Sequence, residues 1–232
     1  MAMIRQNIAQ LSRDISLICQ KLGREREAIT VVAATKYTSR EELKDVIGAG
    51  IAHVAENRVQ EAREKYHGLK AEYPGVTCHM IGHLQTNKVK DALGVFDIIQ
   101  TVDSIRLVEE IEKQAARINI SAEILLQVNT AKEPQKSGIS EEEFLPLIEK
   151  AAGCKHIKVS GLMAIAPLTD NKEIIRHCFR RLRELKESAA QKFLGSKNID
   201  LKFLSMGMSS DYPIALEEGA NMLRIGSAIF RN

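Results

Sequence analysis

Residues 30–42, TVVAATKYTSREE, change character twice. Thr30 to Ala34 are small or β-branched and nearly all apolar, the composition of a short strand buried on both faces. Ser39 and Glu42 then have the spacing of a capping box, which opens a helix. Between them stands Lys36, an amine at the mouth of an apolar strand. A strand that feeds a helix through a polar turn is one βα unit, and the rest of the chain repeats it.

Seven more strand-like runs follow Thr30–Lys36: Ala52–Glu56, Thr77–Gly82, Phe96–Val102, Ala122–Asn129, Lys158–Ile165, Leu201–Gly207 and Met222–Phe230. Helical spacing fills the gaps. Leu43, Val46, Ile47 and Gly50 share a face near 41–49, and Ile105, Val108, Ile111 and Ala115 do so in 104–117. Ser140 and Glu143 form a second capping box, with Gly153 as the matching C-cap. Ile174, Ile175, Cys178, Leu182 and Leu185 make one stripe through 171–194. Alternating strands and helices imply a parallel sheet. Eight units in 232 residues, without a linker rich in Pro, Gly or Ser, favour a single (β/α)8 barrel domain over 1–232, preceded by one extra helix. A doubly wound open sheet is the alternative reading of the same alternation.

Composition narrows the function classes. Apolar residues are 44% and charged residues 27%, with a net charge of +3, so a polyanionic partner is not demanded. The basic run RHCFRRLRELK, 176–186, lies opposite an apolar stripe and is interrupted by Glu184, a solvated helix face rather than a nucleic-acid patch. With 4% aromatic residues and no Trp, stacking on single strands is disfavoured. No apolar run approaches the roughly 18 residues of a membrane span, and the charged N-terminus is not a secretory signal. Cys19, Cys78, Cys154 and Cys178 have no metal or disulfide spacing, which points to buried thiols in the cytoplasm.

In a (β/α)8 barrel the chemistry gathers at the C-terminal strand ends. Those ends offer Lys36; Glu56, Asn57 and Arg58 in HVAENRVQE; His79 and His83 in CHMIGHLQTNK; Gln127 and Asn129; Met163; LSMGMSSD at 204–211; and LRIGSAIF at 223–230. His79 and His83 lack a third ligand and straddle Gly82, so they do not read as a metal pair. The last two strand ends carry Gly207-Met208-Ser209-Ser210 and Gly226-Ser227, where barrels of this class bind phosphate. Glycine admits backbone N–H groups to an anion, and serine adds neutral donors. A lysine amine across the mouth can form a Schiff base with an aldehyde. The ligand that joins an aldehyde, a ring and a phosphate is pyridoxal 5′-phosphate (PLP), and Arg224 is placed to face its ring nitrogen.

With VAATKY, ENRVQE, HMIGHLQTNK, QVNTAKEPQKSG, GLMAIAP, LSMGMSSD and RIGSAIF in this order, the chain resembles the YggS/PROSC family of pyridoxal-phosphate homeostasis proteins, related to the N-terminal barrel of alanine racemase. The resemblance implies PLP held as an internal aldimine on Lys36. It implies a phosphate site of Met208, Ser209, Gly226 and Ser227, with Arg224 at the pyridine nitrogen and Asn57 and His79 lining the pocket. Three positions depart from the family pattern: Ser227 where it has Thr, Cys78 where it has Trp, and His83 where it has Pro. The implied role is a monomeric cytoplasmic holder of PLP, with PLP-dependent apo-enzymes as possible recipients. The alternative is a PLP-dependent racemase. Racemases of the related fold add a tyrosine base from a second domain, and two residues remain here after Phe230.

Overall fold

The computed structural model describes residues 2–131 and 137–231. Eight parallel strands close into a barrel in sequence order: β1 (Thr30–Ala34), β2 (His53–Glu56), β3 (Thr77–Met80), β4 (Ile98–Val102), β5 (Ala122–Gln127), β6 (Ile157–Met163), β7 (Ile199–Ser205) and β8 (Met222–Ile225). Closure is made by β8 on β1, in register from Thr30↔Met222 to Ala33↔Ile225. The closed ring excludes the open sheet.

An N-terminal helix, α1 (Ala2–Leu22), precedes the barrel, and helices alternate with the strands: α2 (Arg40–Gly48), α3 (Val59–Lys65), α4 (Leu69–Glu72), α5 (Val89–Leu93), α6 (Ile105–Arg117), α7 (Glu141–Ala152), α8 (Lys172–Lys192), α9 (Tyr212–Glu217) and α10 (Ser227–Phe230). Both capping boxes form. Ser39 Oγ accepts from Glu42 N at 3.1 Å while Glu42 Oε2 accepts from Ser39 N at 2.7 Å, and Ser140 and Glu143 repeat the exchange. Helix α1 buries Ile4, Ile8, Leu11, Ile15 and Cys19, and its Asn7 donates to Ile229 O and Arg231 O around the end of α10.

Strand alternation divides two cores. Val32, Ala55, Ile98, Leu125, Met163 and Met222 fill the barrel interior. Ala33, Val54, Ile124, Leu126, Leu223 and Ile225 face the helical layer. Six of the eight strands end before their apolar runs do, whereas β2 and β4 end with them at Glu56 and Val102. β1 stops at Ala34, so Lys36 belongs to the following turn, and β8 stops at Ile225 because the chain turns into α10 at Ser227. Within the motif QVNTAKEPQKSG, residues 132–136 lie outside the described residues. No helix among the described residues is long and apolar enough to cross a membrane.

Candidate functional site

The turn after β1 is fixed from below. Thr35 is fully buried; its N–H donates to Ala55 O at 2.8 Å, and its Oγ1, with one proton to give, lies 3.0 Å from Ala55 O, 3.1 Å from Glu56 Oε1 and 2.9 Å from Tyr66 Oη. Lys65 Nζ donates to Thr35 O at 2.6 Å and to Glu56, so the buried carboxylate has its counter-charge. Tyr37 then takes a left-handed conformation, φ +66°, which for a residue other than glycine costs about 1–2 kcal/mol. With its neighbours held this way, Lys36 leaves the sheet at the rim. Its side chain is exposed, not desolvated as its place beside an apolar strand suggests. Tyr37 sits beside the cavity, 85% exposed, with its ring centroid 6.0 Å from Lys36 Nζ.

The serine loops are not across the mouth from Lys36, since β8 pairs directly with β1 and a Cβ on Gly226 would stand 3.6 Å from Ala34 Cβ. The loops after β7 and β8 are tied together. Gly207 has φ +95°, and a Cβ there would stand 2.6 Å from Ala215 Cβ, so only glycine lets this loop lie against α9. Asp211 Oδ1 accepts from Met208 N at 2.6 Å, and burial raises its carboxyl pKa above the usual range. Ser209 Oγ accepts from Ala228 N at 3.1 Å, which joins the first loop to α10 and leaves the hydroxyl proton for a ligand. The loop after β2 is held by another close approach: a Cβ on Gly82 would meet Asn57 O at 2.1 Å.

These segments enclose a cavity of ≈ 520 Å³ at the C-terminal mouth. Lys36, Tyr37, Thr38 and Glu42 form one wall; Asn57 and Ile81 a second; Met208, Ser209 and Ser210 a third; and Gly226, Ser227, Phe230 and Arg231 a fourth, with Ala34, Ile165 and Arg224 completing it. Of the sequence-predicted residues, Lys36, Asn57, Met208, Ser209, Arg224, Gly226 and Ser227 all meet here.

His79 does not. It is fully buried inside the barrel, between His53 (2.9 Å) and Gln100 (2.9 Å), because the inward face of β3 lies beneath the loops. Burial and the neighbouring His53 hold its pKa at about 3, so it is neutral. Arg224 is buried as well; it donates from Nη1 to Ser205 Oγ at 2.7 Å and from Nη2 to Ala164 O at 2.8 Å. Burial lowers its pKa to about 10, which leaves it charged at neutral pH. Reading strand ends alone misses Ser205 and Gln100. Their signal is present, since each is a polar residue at an inward position of an apolar strand, in IIQTV and in DLKFLS.

The donor set suits a phosphorylated aldehyde. Three cationic side chains (Lys36, Arg224 and Arg231) face the cavity against one carboxylate, Glu42, whose Oε2 already accepts from Ser39 N. The hydroxyls of Ser209, Ser210 and Ser227 line the cavity as well.

Comparison with known proteins supports the fold and the cofactor. The family described as "Alanine racemase, N-terminal domain" matches residues 6–231. A pyridoxal phosphate homeostasis protein of Aquifex aeolicus is 36% identical over 225 residues, 97% of this chain and 96% of the relative. The structure of PipY from Synechococcus elongatus, solved with PLP bound, superposes with a TM-score of 0.84 at 30% identity, covering 98% of this chain and 99% of that one. The alanine racemase of Clostridium difficile shares the fold, with a TM-score of 0.77 at 14% identity; this chain covers 56% of it.

Proposed function

The chain belongs to the alanine racemase N-terminal domain family, and within it to the pyridoxal phosphate homeostasis proteins, and from that premise we propose that it binds PLP at the barrel mouth and acts as a holder of the cofactor. The observation that carries this reading is the convergence of Lys36, Arg224 and the two serine loops on one cavity. In this reading Lys36 attaches the cofactor covalently, Ser209, Ser227 and the backbone of Met208 and Gly226 hold its phosphate, and Asn57 lines the ring. Arg224 faces the pyridine nitrogen. When bound, PLP supplies a carbonyl for the amine and an electron-withdrawing ring.

The exposed amine and the open mouth support exchange of the cofactor with solution, and hence supply to PLP-dependent apo-enzymes. The reading takes the chain as one barrel domain over 1–232 working as a monomer, which light scattering of the purified protein checks. The four cysteine thiols suit the reducing cytoplasm.

The experiment is borohydride reduction of the purified protein followed by peptide mass spectrometry. A pyridoxyl group on the Lys36 peptide, with loss of a near-visible absorption band, is expected. A label on another lysine, or none after incubation with PLP, overturns the reading.

A further inference from the structure

Five polar side chains run as a file through the barrel interior, from the cavity to the opposite rim. Arg224 Nη1 donates to Ser205 Oγ at 2.7 Å, and Ser205 Oγ donates to Gln100 Oε1 at 2.7 Å. Gln100 Nε2 lies 2.9 Å from His79 Nδ1, and His79 Nε2 lies 2.9 Å from His53 Nδ1. The file crosses β8, β7, β4, β3 and β2 within an interior otherwise filled by residues such as Val32, Leu125 and Met222. Polar groups so placed are costly unless each is satisfied.

The donor order is forced from one end. A guanidinium has no acceptor, so Arg224 donates to Ser205. Ser205 has one proton and spends it on the Gln100 carbonyl. The Gln100 amide therefore donates to His79 Nδ1, and neutral His79 carries its proton on Nε2 and donates to His53. His53 is left with its proton on Nε2, at the N-terminal rim. Each link donates in the same sense, and the first cannot be reversed.

We infer that Ser205, Gln100 and His79 are positioning residues for Arg224, and that protonation of His53 at the far rim is felt through them at the cofactor pocket. This rests on the reading that Arg224 faces the cofactor. A protonated His53 has an N–H on Nδ1, opposed to the N–H of His79. Relief requires His79 to carry its proton on Nδ1 and Gln100 to turn its amide over. Gln100 and Arg224 then both donate to Ser205, whose own proton has lost its acceptor. Arg224 faces an amide dipole turned against it, and the ligand it holds is retained less well.

The groups around His53 set where this happens. His79 faces it from β3, and the rim pocket adds Lys70 on α4, Asp97 ahead of β4, Glu123 on β5 and Lys202 on β7. Lys70 binds Asp97 and Lys202 stands 3.2 Å from Glu123, so each acid has a cation. Burial lowers the His53 pKa from 6.5, and Asp97 partly opposes it. The step therefore falls on the acid side of 6.5.

The test has two arms. Imidazole nitrogen NMR of the apo-protein is expected to show His79 protonated on Nε2 near neutrality and to change that tautomer as His53 titrates. PLP retention is then compared between the unaltered protein and His53→Asn, whose amide oxygen can accept as Nδ1 does but does not titrate. Between about pH 7.5 and about pH 5.5 the unaltered protein is expected to lose about fivefold more affinity than the variant, the size of one net hydrogen bond. A His79 tautomer that ignores His53, or equal pH dependence in the two proteins, overturns the inference. A protein that never retains PLP overturns the cofactor reading instead, and the apo-protein NMR still decides the file.

Discussion

The two sides of the barrel are built differently. β5 and β6 pair from Ala122↔Ile157 to Gln127↔Met163, whereas β7 and β8 share one register pair, Ser205↔Met222. Beyond that pair the seam continues through Met206 N to Met222 O and Arg224 N to Gly207 O, and the loops then open into the cavity. On the far side the chain spends its residues on sheet. Past the seam, β8, β1 and β2 are strands of four or five residues that hand over to turns carrying Gly226-Ser227, Lys36 and Asn57. Stability and ligand handling therefore occupy different parts of one ring.

Lys36→Ala is the sharpest way to break that division. Lys36 is exposed and sits beyond the sheet, so its loss should abolish covalent retention of PLP yet change stability within about 0.5 kcal/mol. Absorption and thermal melting of the same sample read both. A large drop in melting temperature would show that the mouth is part of the folding core after all.

The converse change is Leu126→Ala in β5, fully buried against the helical layer. It should cost about 2–5 kcal/mol by chemical denaturation, while folded protein keeps its PLP affinity. Loss of affinity at full occupancy of the fold would couple the two sides.

A third test uses acid. His79 has a pKa of about 3 in the folded chain against an ordinary 6.5, so below pH 6.5 the unfolded state binds a proton that the folded state refuses. Stability from this group is complete above 6.5 and falls as pH drops towards 3. The loss by about pH 4 is on the order of 3 kcal/mol. His79→Gln, which keeps donor and acceptor without titrating, should flatten that slope. An unchanged slope would place the acid sensitivity elsewhere.

Within the site the effects are graded. Ser209→Ala and Ser227→Ala each remove one hydroxyl donor to a charged acceptor, worth about 1.5–3 kcal/mol, or roughly tenfold or more in PLP affinity. Non-phosphorylated pyridoxal should bind both variants as it binds the parent. Equal losses for the two ligands would move the phosphate away from these loops.

Most of the barrel was legible because its cause is local. Alternation, the Ser39–Glu42 and Ser140–Glu143 boxes and the apolar stripes follow from residues a few positions apart, and they placed every strand. The strand ends were less legible. IGSAIF is apolar enough for a strand, and only tertiary packing against α1 makes residues 227–230 a helix. The walls of the cavity followed from strand-end positions. The support beneath Arg224 did not, because Ser205, Gln100 and His79 meet through the barrel from three distant segments. The partners of His79, His53 and Gln100, stand 26 and 21 residues away, beyond any local spacing in the sequence.

The smallest expected effect is on catalysis. Moving a proton between the two faces of an amino acid's α-carbon calls for a base on each face, or one base with access to both. Arg224, with a pKa of about 10, stays protonated and gives no proton to a ring nitrogen, so a pyridine ring held against it would be a weak electron sink. Lys36 supplies one base. Among the described residues that line the cavity, the other titratable candidates are Tyr37 and Glu42. Tyr37 hangs from the same turn as Lys36, so it is offered from the same wall, and Glu42 is committed to the N-cap of α2. Neither stands across from the amine. PLP-loaded protein given L-alanine should therefore show no appreciable D-alanine by chiral chromatography. Turnover on the order of 1–10³ s⁻¹ would make the chain an enzyme and the mouth an active site rather than a holding site.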